Sequence, residues 1–300
     1  VTHPAVPVYH ITHLTRYRHA APAAAAWQSL HLQPSHEPNQ HCDAFELEIS
    51  PHPRDLTARV DFFGNKQHVF SLHEPHRELV ITSRSKVTRH EPVLPMPGLT
   101  PHVEEIPAAT TKTILAGDFA LEQYLHPSPL VPLLPAAREL ADEFNLTAST
   151  PFLEWLAQLG ERFHNAFTYA PEATTISTPL AEVLEHRHGV CQDFAHVLIS
   201  CLRQQGVPAA YVSGYLLTDP PPGQPRLRGA DASHAWVSAF VPGTGWIDYD
   251  PTNACFVGAG HIVVARGRDF ADVSPVKGLF NGGSHQLVTE VTVEPADAAV

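Results

Sequence analysis

Two hydrophobic periodicities divide this chain, and a proline-rich stretch separates them. Before residue 91 the pattern has period two. Phe45-Glu46-Leu47-Glu48-Ile49 alternates apolar and polar side chains, as a half-buried strand does. Leu56–Val60 and His68–Leu72 flank the turn signal Phe62-Phe63-Gly64-Asn65, and Leu79–Thr82 with Ser85–Thr88 suggest one more strand. After Pro135 the spacing becomes helical. Phe152, Trp155, Leu156, Leu159 and Phe163 form the stripe of an amphipathic helix over Pro151–Phe163, with Thr150-Pro151 as cap and first residue. Thr178-Pro179 repeats that signal before a short helix, Leu180–His186. A helix over Cys191–Gln205 follows, stopped by Gly206. Ala210–Leu217, His234–Phe240 and Trp246–Asp250 then read as strands, as do Val263–Ala265 and Leu287–Val293.

Helices followed by consecutive strands predict an α+β fold rather than a parallel βαβ array. The expected organisation is a small all-β domain over residues 1–90, a connecting segment over 91–135 and a core over 136–300. The connector carries much of the proline, which makes up 29 of 300 residues. It has room for one short helix, expected at Ala116–Leu125, because Xaa-Pro bonds disfavour long ones. The loop Thr218–Ala230, rich in proline and glycine, is expected to be irregular.

Charge narrows the partners. The formal net charge is −12 with histidine neutral, so nucleic acid and anionic membrane surfaces are not expected partners. The 21 histidines make that charge steeply pH-dependent between pH 7 and 5. No apolar run is long enough for a transmembrane helix, and the first residues show no signal-peptide pattern, although the chain begins with Val. Cys42, Cys191, Cys201 and Cys255 are too few for a disulfide scaffold, which suggests a reducing, cytoplasmic compartment. Neither zinc-type Cys/His spacing nor an H-E-x-x-H motif appears, and His73-Glu74-Pro75-His76 is broken by its proline. No metal and no cofactor is expected.

Gly189-Val190-Cys191-Gln192-Asp193-Phe194-Ala195-His196 is the most informative segment. A thiol in the first turn of a helix meets unpaired N–H groups and the positive end of the dipole, which favour a thiolate nucleophile. A small core cysteine is the competing reading. A nucleophilic thiol needs a base, and a base needs an orienting group. His196 lies about 140° around the helix from Cys191 and points away. His186 and His188 lie close in sequence but have no evident carboxylate. His234 is better placed. It opens a strand that turns through Val241–Gly245 into Trp246–Asp250. If Phe240 pairs with Trp246, Asp250 becomes the diagonal neighbour of His234 on one face, and Asp248 sits further away, opposite Ser238.

GVCQDFAH (189–196), GVPAAYVSGYL (206–216), SHAWVSAFVPGTGWIDYDPTNA (233–254) and GRDFADVSPVKG (267–278) resemble the transglutaminase-like superfamily. The bacterial branch described as transglutaminase-like cysteine proteases is the closer likeness. The amino-terminal YHITHLTRYRHAAPAAAAWQSLHLQPS, DFFGN and LHEPHREL resemble the β-rich region of that branch, so the likeness covers nearly the whole chain. It implies a papain-like core with a helix-borne Cys packed on an antiparallel sheet. It also implies a Cys191–His234–Asp250 triad, a thioester intermediate and a peptide or protein substrate. The sequence departs from the animal enzymes where Ala173-Thr174-Thr175-Ile176 stands in place of their oxyanion-binding Trp. Trp155 lies in an apolar stripe and reads as core; Tyr169 is nearer. The Cys191 N–H is the one oxyanion donor that can be named. The expected activity is hydrolysis of amide or peptide bonds, with protein-glutamine γ-glutamyl transfer and a non-catalytic peptide-binding module as alternatives.

Overall fold

The computed structural model describes residues 6–218 and 233–296. Beyond Thr218, the loop expected at Thr218–Ala230 lies outside the described residues. The amino-terminal region contains β1 (Val8–Ala23), β2 (Ala25–Leu30), β3 (Gln40–Ser50), β4 (Asp55–Val60), β5 (Lys66–Leu72) and β6 (His76–Arg89). Helices α1 (Ile106–Leu115), α2 (Pro135–Glu143) and α3 (Phe152–Ala166) follow. Then come β7 (Thr168–Tyr169), α4 (Leu180–His186), β8 (His188–Gly189) and α5 (Cys191–Gln204). The chain continues through β9 (Ala209–Leu216), β10 (Ser233–Val241), β11 (Gly245–Asp250), β12 (Cys255–Phe256) and β13 (His261–Gly267). It closes with the short α6 (Phe270–Val273), β14 (Val276–Asn281) and β15 (His285–Pro295).

Two four-stranded antiparallel sheets, in the orders β15-β1-β6-β3 and β14-β2-β5-β4, form the amino-terminal layers. Tyr17, Leu30, Ile49, Phe70, Leu79 and Ile81 belong to the apolar cluster they bury. The Asp61–Asn65 turn joins β4 to β5. The Asp61 carboxylate accepts the Phe63 and Asn65 N–H groups at 2.9 and 2.8 Å, and Gly64 takes φ +89°.

Two expectations need correction. The core expected over 136–300 included Leu287–Val293. That stretch pairs instead with Tyr17–Ile11 of β1, and β14 pairs with β2, so the end of the chain completes both amino-terminal sheets. Alternation marks a strand without naming its partner, and β1 and β2 each had an open edge. The connector's helix lies earlier than Ala116–Leu125. Pro107 lies in the first turn of α1, Gly117 at φ +121° ends it, and Phe119–Tyr124 is a 3₁₀ turn.

The core is a five-stranded antiparallel sheet ordered β12-β11-β10-β9-β13, with α5 packed on β9 and β10 and bracketed by α2 and α4. Phe194, Leu198 and Leu202 of α5 are fully buried with Val237, Ala239 and Ile247 of the sheet. Buried Arg203 ties the connector to this core. It donates to the carbonyls of Ala209, His126 and Arg268, and Ser200 Oγ donates to Pro132 O at 2.7 Å.

The unpaired edge of β13, the last strand of its sheet, is closed by two side-chain amides from the amino-terminal layers. Gln40 receives the Val263 N–H at 2.8 Å and donates to Val263 O at 2.7 Å. Asn65 does the same for Arg266, at 2.8 Å both ways. Each amide substitutes for one residue of a missing strand, which satisfies edge groups that would otherwise be buried without partners.

Candidate active site

Cys191 is the first residue of α5. The preceding backbone is held by Asp193, whose Oδ2 accepts the Val190 N–H at 2.9 Å and the Thr174 hydroxyl at 2.6 Å. Gly189 makes room for that carboxylate, because a Cβ there would stand 2.7 Å from Asp193 Oδ2. The thiol is partly exposed, whereas the rest of the helix is almost wholly buried.

His234 and Asp250 reach this point from β10 and β11. Phe240 pairs with Trp246 and Ser238 with Asp248, the register the sequence suggested. His234 Nε2 lies 2.7 Å from Asp250 Oδ2. That bond leaves Nδ1 as the nitrogen free to face sulfur. The Cys191 thiol is close enough that hydrogen bonding and charge both act on the ring. Burial alone would lower the His234 pKa, but the Asp250 bond, the Cys191 contact and the charges of both raise it well above the ordinary histidine range.

Asp250 is fully buried and saturated with donors. Oδ2 receives His234, His261 Nε2 at 3.1 Å and Asn253 Nδ2 at 2.7 Å. Oδ1 receives the Thr252 and Asn253 N–H groups at 2.9 and 3.2 Å. Burial would raise its pKa; these donors instead hold it well below the usual carboxylate range. His261 accepts the Gly258 N–H on Nδ1 at 3.3 Å, so its own proton sits on Nε2 and points at Asp250. His234, Asp250 and His261 place one ligand-type atom each within 4.8 Å of one another. Their 2.7 and 3.1 Å separations are those of hydrogen bonds.

The other candidates go elsewhere. His196 is buried, accepts the Phe270 N–H at 3.2 Å and is pushed down to about 4 by desolvation. His186 and His188 stack on each other, with ring centroids 5.6 Å apart. Asp248 forms a two-pronged ion pair with Arg266 at 3.0 and 2.9 Å and accepts Trp236 Nε1 and Ser238 Oγ. Arg268 pairs with Asp272, while Asp269 caps α6 and holds the Leu130 N–H. Trp155 is core. Asn253 follows Asp250-Pro251-Thr252 directly in the chain. His261 carries no sequence signal; only the pairing of β13 with β9 brings it to Asp250.

The fold and the site define a papain-like core in which a helix-borne thiol meets an imidazole on an antiparallel sheet. Residues 9–88 match the bacterial transglutaminase-like N-terminal region, and residues 138–251 match the transglutaminase-like superfamily. An uncharacterized protein of Mycobacterium tuberculosis is 40% identical over 294 residues, covering 95% of this chain and 91% of that protein. This chain belongs to the transglutaminase-like superfamily. A protein-glutamine gamma-glutamyltransferase of Pseudomonas aeruginosa is 34% identical over 122 residues, 39% of this chain and only 18% of that protein. The crystal structure of a Cytophaga hutchinsonii protein, assigned provisionally to the cysteine proteases, superposes with a TM-score of 0.74. The match covers 99% of this chain and 93% of that one at 17% identity, which shows a shared fold.

Proposed function

We propose that this chain is a cysteine-dependent acyl-transfer enzyme acting on amide or peptide bonds, with Cys191 as nucleophile, His234 as acid–base and Asp250 as orienter. One observation carries the reading: a single imidazole stands between a fully buried carboxylate at 2.7 Å and a partly exposed thiol at a helix start. The Cys191 sulfur attacks the carbonyl carbon as the carbonyl electrons move to oxygen. When the carbonyl re-forms, His234 gives its proton to the leaving amine and a thioester remains. His234 then takes a proton from the incoming acceptor, while Asp250 keeps the ring turned so that Nδ1 faces sulfur.

Water as acceptor makes the enzyme a peptidase or amidase, and hydrolysis is the reading we favour. The departure from the animal enzymes at Ala173–Ile176 supports it. The transfer reading, with a lysine amine as acceptor, is favoured by the name of the Pseudomonas relative. A peptide library incubated with and without a primary amine, read by mass, separates them. Backbone fragments mean proteolysis. Replacement of glutamine ammonia by water means deamidation, and its replacement by the amine means transfer. Cys191→Ala should abolish each product while leaving the fold intact; products that persist at the wild-type rate would remove this mechanism.

A further inference from the structure

Attack on a carbonyl moves charge onto its oxygen, and the Cys191 N–H supplies one donor to it. This N–H belongs to the first turn of α5 and makes no hydrogen bond among the described residues. We infer that the Tyr169 hydroxyl is the second donor. The inference rests on the nucleophilic role proposed for Cys191.

Backbone pairing places Tyr169. It is the parallel partner of Gly189, two residues before Cys191. The bridge is fixed on both sides, by Thr168 N–H to Arg187 O at 2.8 Å and Ala170 N–H to Gly189 O at 2.9 Å. The ring then lies edge-on to Phe194, with centroids 6.2 Å apart. Phe194 is three residues after Cys191, and residues three apart share a helix face. The phenol therefore covers the turn that carries the thiol.

Its chemistry suits a donor. The hydroxyl makes no hydrogen bond among the described residues, and the side chain is 52% exposed, open to a bound carbonyl. Burial, with the nearby Cys191 charge, raises the Tyr169 pKa, so the phenol keeps its proton beside a thiolate. As the C–S bond forms, the Tyr169 O–H and the Cys191 N–H donate to the same oxygen. No proton is transferred from either, and both bonds relax when the carbonyl re-forms.

Two probes of Cys191 separate this role from a structural one. p-Nitrophenyl acetate acylates a thiolate through a tetrahedral oxyanion and releases p-nitrophenolate; iodoacetamide alkylates it by displacement at carbon, with no oxyanion. Tyr169→Phe should lower the rate of Cys191 acylation by about tenfold or more, the scale on which single oxyanion donors act. It should leave iodoacetamide alkylation within about twofold. Unchanged acylation, or an equal fall in both rates, would overturn the assignment. A wild-type acylation rate no higher than that of Cys191→Ala would instead sink the role of Cys191 itself.

Discussion

His261 Nε2 lies 3.1 Å from Asp250 Oδ2, the oxygen that already receives His234 at 2.7 Å. Two imidazoles therefore share one carboxylate oxygen, but with different freedom. His261 is held on its other nitrogen by the Gly258 N–H, whereas the second nitrogen of His234 faces the thiol. Gln40 of the amino-terminal layers clamps Val263, two residues beyond His261. The β-rich region thus helps set the position of a strand that supports the site.

Substitutions at the two partners of His234 should be graded. In Asp250→Asn the new amide N–H faces His234 Nε2, which must then accept, so the ring proton moves to the nitrogen facing sulfur. Turnover should fall by about two to four orders of magnitude with the fold retained. His261→Ala removes one of the five donors to Asp250 and leaves the tautomer of His234 unchanged. It should destabilise the fold by about 1–3 kcal/mol and lower turnover far less. Urea unfolding and steady-state rates of the two variants check the order; equal losses of turnover would contradict it.

Native protein at neutral pH should be alkylated by iodoacetamide at Cys191 alone. Cys42 and Cys201 are buried, with thiols pushed up to about 11 and about 12 by desolvation. Cys255 is held up near 11 by burial and by the Asp250 charge. Because the pKa of His234 is raised, its imidazolium persists above the ordinary histidine range, beside the Cys191 sulfur. His234→Ala should slow labelling at pH 6 by at least about tenfold. Peptide mapping by mass spectrometry reads both results.

Gly214 stands directly opposite His234 across β9 and β10. A Cβ there would meet the Trp236 ring and the Ile262 carbonyl, each at 2.3 Å. Neither can yield easily, since Trp236 is fully buried and Ile262 belongs to the paired strand β13. Gly214→Ala should cost about 1–3 kcal/mol, the range for overpacking. A lowered urea midpoint with an unchanged slope would be the expected result.

Acid should weaken the fold through histidines buried neutral. His13 and His196 are both pushed down to about 4 by desolvation. Between the unfolded value of 6.5 and the folded value of about 4, the unfolded chain holds protons that the folded chain does not. Stability should therefore drop as pH falls through that window, by ~1.4 kcal/mol per pH unit for each ring. Unfolding free energies of His196→Gln at pH 6.5, 5.5 and 4.5 should show a slope shallower by about one proton.

Much of the core was legible because its residues announce their geometry. The Phe152–Phe163 stripe, the Thr178-Pro179 signal and the Val241–Gly245 turn each constrain a short stretch of backbone, and the observed elements agree with them within three residues. The hairpin register then followed from the turn, since a fixed loop fixes which residues face each other. In contrast, β1 was hidden. Its inward positions include His13, Thr15 and His19, so burial alternates along the strand while hydrophobicity does not.

By itself the sequence determined local matters: a thiol at a helix start, a histidine and an aspartate two strand positions apart, and a change of periodicity that separates layers. The tertiary structure decided which distant segments meet. β15 returns to β1, Gln40 closes the edge of β13, His261 shares the oxygen of Asp250, and Tyr169 reaches the turn of Cys191 through Gly189. Those contacts join segments far apart in the chain through strand pairing, and a strand's own side chains specify its buried face but not its neighbour.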